Sequence, residues 1–419
     1  NEEIDPIFNR PNINFSSVFD FRNFYRNRTV PNPKEGPMQP KEIGVADVWL
    51  DHPDRRQYVG IVFDPSNKTP PNYYNLFRGF AVEPKQGDWS AMRDHIFQVI
   101  CSGIEHYGMW VLTWMARIVQ DPGGQRPGTS IVLRGVQGAG KGCFVSNFGQ
   151  LFGSHFLHIQ NQQHFTGRFN DHLKDALVVF VDEGFWAGDK SAEGVLKGIV
   201  TEPVFFVEPK NVNAFAVKNH INILMASNSD WVIPASFEER RFAVLDVSDK
   251  KKGNKEYFKK IYNQMANGGY EAMLYDLLNM DLEENMQKYD ITEIPRTSAL
   301  LDQIVNSMTT PQMFWFECLR SGTIVGSQET EWPNEIPTKL LYGCFSRFAD
   351  DVGRGSHKEI DAQFHRAIRN ICPAFRRKRT LSSVTMDREW IASIPDLQEC
   401  RNAFEMATKI VYDFDQEDE

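Results

Sequence analysis

No stretch of this 419-residue chain approaches the roughly 20 consecutive apolar residues that span a bilayer, and the longest candidates are interrupted by Arg, Asp or Asn. No membrane role is expected. Cysteine is scarce and scattered: Cys101, Cys143, Cys318, Cys344, Cys372 and Cys400 form no C-x-x-C pair. That argues against a disulfide framework or a zinc ribbon and makes a reducing cytoplasm the expected compartment. Among the histidines only His155 and His158 form a local pair, and ordinary packing outweighs metal binding there. The start, "NEEIDPIFNR", has the order of neither a signal peptide nor a transit peptide. It also lacks an initiator Met, so the chain reads as a piece of something longer. A basic excess is missing too, with 46 Lys and Arg against 55 Asp and Glu and a net charge of −9. A surface coated in nucleic acid is thereby disfavoured, because phosphate contacts need concentrated Lys and Arg. Any such contact must come from a local patch or a channel.

What remains is an ordinary globular composition, long enough for two to four domains. Residues 1–45 read as an extended arm or linker, packed in places by Phe15, Phe19, Phe21 and Phe24. Residues 46–120 read as an N-terminal α+β and helical collar, with a strand pair in "RRQYVGIVFDP" and "YYNLFRGFAVEP" and a helical pattern from Trp89 to Val119. After the breaker "DPGGQRPGT", residues 121–250 alternate short apolar strands with helical stretches, the signature of a parallel α/β sheet. The strands fall at 130–134, 155–159, 177–181, 221–226 and 242–247. Residues 251–300 form a helical extension, and Pro295 and Pro311 bracket a linker-like region. Residues 301–419 form a small domain whose tail, "DFDQEDE", is solvated.

The chemistry-bearing residues lie after those strands. "GVQGAGKG", residues 135–142, follows the first strand and opens a helix. A phosphate-binding loop wants G-x-x-x-x-G-K and then Ser or Thr. Gly135, Gly140 and Lys141 fit, whereas position 142 is glycine. The backbone N–H groups around Gly138, Ala139 and Gly140 and the helix start suit an anion, with Lys141 as a point charge for β- and γ-phosphates. In "ALVVFVDEG", Asp182 and Glu183 emerge at the C-terminal end of a buried strand, the edge where open parallel sheets bind ligands. Asp182 suits Mg²⁺, directly or through water, and Glu183 suits polarisation of an attacking water. The plain alternative is an acidic turn. "INILMASNSD" ends in Asn228, which could position that water or simply make a turn. In "EERRFAVLDV", Arg240 and Arg241 could reach a phosphate from a neighbouring subunit. The plain alternative there is an ion pair with Glu238 or Glu239.

This order of parts resembles the core of superfamily 3 viral helicases. The nearest type is the primase-helicase of phages and poxviruses, including the C-terminal helicase part of phage primase-polymerases of the deep-sea vent type. The resemblance is firm over about 130–300, fainter over 45–130 and slight afterwards. It implies a P-loop ATPase core of the AAA+ kind, flanked by an N-terminal α+β region and a C-terminal winged-helix-like domain. It implies ATP and Mg²⁺ as cofactors, a homo-hexameric ring, single-stranded or forked DNA in the channel, and an upstream primase-polymerase domain. For a phage-encoded chain the compartment becomes the host's cytoplasm. By position, Lys141 becomes the phosphate lysine, Asp182 and Glu183 the magnesium and water-activating acids, and Asn228 the sensor of the γ-phosphate. Arg241 becomes the arginine finger, with Arg240 in reserve. "FFVEPKNVNAFAV" falls where the family has a channel-facing β-hairpin, which would put Lys210 on the DNA backbone. Gly142 is the departure, since the family supplies a hydroxyl to Mg²⁺ there. The basic run Arg376, Arg377, Lys378 and Arg379 reads as a phosphate-contacting patch or a solvated loop.

Two functions stay open: an ATP-driven helicase, and a slow-turnover ATP-binding assembly or loading scaffold for an attached primase-polymerase. A small-molecule kinase has little support, since nothing resembles a lid carrying a substrate base.

Overall fold

The computed structural model describes residues 2–5, 10–13, 16–32, 36, 38, 40–183, 190–208, 213–357, 359–381 and 388–414. At its centre is a five-stranded, all-parallel sheet. Its strands are β1 (Ser130–Arg134), β2 (Phe156–Ile159), β3 (Val178–Asp182), β6 (Asn222–Ser227) and β7 (Phe242–Asp246), in the spatial order β7-β1-β6-β3-β2. A hairpin, β4 (Val204–Val207) and β5 (Phe215–Lys218), comes between β3 and β6 in the chain. The five sheet strands lie within one residue of the expected spans. Each of the three central ones is a nearly unbroken apolar run because helices cover both faces: Ile131–Leu133, Val178–Val181 and Ile223–Ala226 are all buried.

The helical layer combines three parts of the chain. Helices α1 (Ser90–His95) and α2 (Glu105–Gln120) precede the sheet, and α3 (Lys141–Gly149) and α4 (Lys190–Thr201) lie within it in sequence. Helices α5 (Lys255–Gln264) and α6 (Tyr270–Asn279) follow. Helix α2 fills the core with Trp110 and Trp114, whose indole N–H groups donate to Glu293 O at 2.9 Å and Thr129 O at 3.3 Å. Arg126, in the breaker segment, donates to the carbonyls of Ile199, Val200 and Glu202 at the end of α4. A cation there complements the helix dipole.

Several expectations need correcting. The arm is not merely extended: a short helix, Val18–Phe24, is started by a Ser17–Asp20 capping box, and Phe19 and Phe24 are exposed rather than packed. The strand pair after it is only Gly60–Val62 with Tyr73–Asn75, and it is parallel. The stretch between Pro295 and Pro311 is no linker. It holds α7 (Ser298–Asn306), capped by Thr297, whose hydroxyl donates to Val244 O at 2.6 Å and so fastens the helix to β7. Prolines at both ends mark helix boundaries here, one of them the start of α8 (Thr310–Ser321).

The C-terminal part packs α8, α9 (Thr338–Asp351), α10 (Asp361–Ile371) and α11 (Leu397–Thr408) with a three-stranded antiparallel sheet. That sheet has β8 (Glu335–Pro337), β9 (Arg376–Leu381) and β10 (Arg388–Ser393) in the order β8-β10-β9. Among the described residues, no helix is long and apolar enough to cross a membrane.

Candidate functional site

Strand order decides where a site can form. The connection leaving β1 runs outward to the far edge at β2, whereas the one leaving β6 runs the other way, to β7. Adjacent strands whose connections leave in opposite directions open a crevice beyond their C-terminal ends. The glycine-rich loop leaves β1 into that crevice, and Asn228 leaves β6.

The loop's glycines have a geometric reason at two positions. Gly138 has φ +81° and Gly140 φ +116°, a region that L side chains rarely enter. A Cβ on Gly140 would also lie 2.5 Å from the His95 ring. His95 is fully buried, with Nε2 3.1 Å from Gly140 O and Nδ1 3.0 Å from the Tyr257 hydroxyl. Burial pushes its pKa down to about 4, so the neutral ring joins α1, the loop and α5.

Lys141 opens α3 and is buried. Its ammonium donates to Asn228 Oδ1 at 2.7 Å, to Val136 O at 3.2 Å and to Gly135 O. Asn228 Nδ2 in turn donates to Glu183 Oε1. Three residues that follow three different strands thus form one chain of hydrogen bonds across the crevice. Burial lowers the pKa of Lys141, and the charges of Glu183 and Asp182 oppose the shift. Glu183 is held at φ +51°, a conformation costing on the order of 1–2 kcal/mol for a residue with a Cβ. Its backbone N–H bonds Ala226 O at 2.9 Å, which fixes the strained turn beside β6.

Asp182 faces away from this chain. Its Oδ2 lies 3.3 Å from His158 Nε2. The register explains the pairing: His158 is opposite Phe180, and Phe180 and Asp182 share a face. The other histidine of the pair, His155, is spoken for separately, by Arg78 N at 3.0 Å and Asp175 O at 2.8 Å. Asp182 is half-buried and offers hard carboxylate oxygen, the donor type that suits a small divalent cation. Gly142 is exposed on the first turn of α3, and a Cβ there meets nothing within 4 Å.

The remaining expected residues are not brought here. Arg240 and Arg241 precede β7, the neighbour of β1, and so lie at the N-terminal ends of the strands, whereas Lys141 follows the C-terminal end of β1. The expected ion pair with glutamate is also replaced: Glu239 is buried and accepts from the backbone N–H groups of Arg240 at 3.0 Å and Arg241 at 2.8 Å. Lys210 lies outside the described residues, between hairpin strands β4 and β5. Arg376, Arg377, Lys378 and Arg379 sit on β9, an edge strand rather than a loop, in the C-terminal sheet.

Beside the loop opens a cavity of about 760 Å³ bordered by Gly135, Val136 and Asn228. Its lining also carries Asp230, Asp246, Asp249 and Asp302, an acidic excess that would repel a polyphosphate. Arg134, at the end of β1, is tied to Asp246 and to Asp302, both at 2.6 Å, and is no spare cation. His95 and Arg134 carry no signal in the sequence, and His158 reads there only as a packing histidine beside His155. The adjacency of His158 to Asp182 follows once β2 and β3 are paired.

Residues 133–241 match the model of a family of unknown function, DUF5906. Over 256 aligned residues the chain is 22% identical to the DNA primase-polymerase of Nitratiruptor phage NrS-1, a match taking in 58% of this chain and 35% of that protein. The chain is a relative of that phage protein. The solved apo structure of the NrS-1 C-terminal region superposes with a TM-score of 0.62 at 17% identity, covering 81% of this chain and 85% of that one. Its A form gives 0.62 at 18% identity with the same coverage. At such identity the likeness establishes the mixed α/β fold. The alignment spans about a third of the phage protein's length.

Proposed function

We propose that the chain is the ATP-driven motor part of a phage DNA-replication protein. In this reading it is a P-loop ATPase of the superfamily 3 kind, working as a hexameric ring on single-stranded or forked DNA and joined to a primase-polymerase domain. The observation that carries the proposal is the Lys141–Asn228–Glu183 chain at the sheet's switch point.

In this reading the loop's backbone N–H groups and the start of α3 hold the phosphates of ATP. Lys141 exchanges its loop carbonyls for phosphate oxygens and brings one positive charge to them. Glu183 takes the proton of an attacking water, and Asn228 holds both partners at a fixed spacing so that little reorganisation is needed. Asp182 would hold Mg²⁺, which when bound supplies charge neutralisation on the phosphate oxygens. Arg240 and Arg241 sit too far from their own subunit's loop, so a role for either requires a neighbour's site. The primase-polymerase relative and the NrS-1 C-terminal region support the replication setting. The test is ATP hydrolysis with and without single-stranded DNA. Stimulation that disappears in Lys141→Ala is expected, and DNA-independent or Lys141-independent hydrolysis would overturn the reading.

Gly142 favours a second reading, the slow-turnover loading scaffold, because the helix start carries no hydroxyl for a metal. Tight ATP binding with no measurable turnover would select it.

A further inference from the structure

The basic run at 376–379 divides into two faces once it is a strand. Strand β9 pairs antiparallel with β10, setting Arg379 opposite Trp390, Arg377 opposite Ala392 and Leu381 opposite Arg388. Alternation puts Arg377, Arg379, Arg388 and Trp390 on one face and Arg376 and Lys378 on the other. The second face is engaged: Lys378 pairs with Glu335, and Arg376 donates to the carbonyls of Pro373 and Phe375. The first face enters the core at Ala392 and emerges at Trp390, a tryptophan left 49% exposed. The Arg377 guanidinium lies 5.4 Å from the centre of its ring and 3.3 Å from Asp361, so the ring is braced from one side. Arg379 and Arg388 are exposed beside it.

We propose that this face of the C-terminal sheet is a stacking platform for single-stranded DNA. A base lies on Trp390, Arg379 and Arg388 meet the flanking phosphates, and Arg377 positions the ring. Charge complementarity argues for this occupant. In a chain of net charge −9, three arginines share one face with a braced, half-exposed indole. Such pairing of an aromatic face with cations is how single strands are held without sequence preference, whereas a duplex hides its base faces. An acidic peptide would use the arginines and leave the indole without a partner. The proposal rests on the reading of DNA as substrate but not on ATP turnover.

The test is anisotropy of a labelled oligothymidylate of about 16 nucleotides, with the full chain and no nucleotide. Trp390→Ala is expected to weaken binding about tenfold, and Trp390→Phe less than about threefold. Arg379→Glu and Arg388→Glu should each weaken binding and flatten its salt dependence. Lys378→Ala, on the other face, should leave it unchanged. Thermal melts establish that each variant is folded; since Trp390 is half-exposed, Trp390→Phe serves as the check that loss follows the ring and not the fold. The platform is overturned if folded Trp390→Ala binds like wild type, or if Lys378→Ala loses as much. Equal binding of a duplex through Trp390, or displacement by polyglutamate at matched charge, would overturn it too. Binding is read without nucleotide, so a failed ATPase reading and a failed platform give different results.

Discussion

The ammonium of Lys141 lies 2.7 Å from the side-chain oxygen of Asn228, although 87 residues separate them in the chain. Only the strand order makes them neighbours. Because Asn228 also donates to Glu183, it is a spacer between a cation and an acid that would otherwise pair directly. Replacing it by Ala should let Glu183 swing toward Lys141. The expected outcome is a loss of about a hundredfold in single-turnover hydrolysis with ATP affinity changed far less. Equal losses in both would make Asn228 a structural residue.

Glu183 combines a chemical role with a strained backbone, and the two can be separated. Glu183→Gln keeps the shape and should trap ATP unhydrolysed. Glu183→Gly removes the Cβ that makes φ +51° unfavourable, and should be at least as stable as wild type by denaturant titration while inactive. A clear destabilisation of the glycine variant would mean that the carboxylate's bond to Asn228 outweighs the strain.

Gly142 and Asp182 bear on metal affinity. A Ser at 142 has room, since nothing lies within 4 Å of the new Cβ and the backbone there is not left-handed. Gly142→Ser is therefore expected to fold and to lower the Mg²⁺ concentration for half-maximal hydrolysis, and Asp182→Ala to raise it. Magnesium titrations of both variants check this. An unchanged requirement in Gly142→Ser would mean that water serves as well as a hydroxyl.

The buried histidines tie stability to pH. Burial holds His95, His155 and His220 each at about 4, below the ordinary value near 6.5. The unfolded chain therefore takes up protons from about pH 6.5 downward while the folded chain does not. Their contribution is fully present above 6.5 and is lost as pH falls toward 4. Urea midpoints should drop between pH 7.5 and 5.5, above the range where most carboxylates titrate. His95→Gln should be less stable at pH 7.5 and show a shallower drop.

Arg241 and Arg240 give a test of assembly. Because they lie at the opposite end of the strands from their own Lys141, mixing Arg241→Ala with Lys141→Ala should restore part of the hydrolysis that neither variant shows alone. No recovery at any ratio would remove the arginine from the site.

The strands were legible because each is a short apolar run that stops at a polar residue, and the sheet needs such runs when both faces are covered. Asp182, Glu183 and Asn228 stand out for the same reason, as polar groups where such runs close, and Lys141 stands out by the G-x-x-x-x-G-K spacing. His95 was not, because 45 residues separate it from the Gly140 carbonyl it bonds and no spacing rule links a collar helix to a loop. The stretch between Pro295 and Pro311 reads as a linker in the sequence because its prolines look like breakers, although they flank helix boundaries. The basic run at 376–379 looked uniform, although a strand's alternation gives its members different neighbours.

The bond from His95 to Gly140 also bears on where this protein can be cut. A fragment limited to the 133–241 stretch would leave the Gly140 carbonyl without its ring, would lose the first three residues of β1, and would lack β7 and the helix anchored on it altogether. The stretch that carries the recognisable signature is therefore not a module that can be transplanted by itself. Its loop is held in shape by chain on both sides, and a graft or truncation that keeps the motif should begin ahead of residue 89 and run past residue 306.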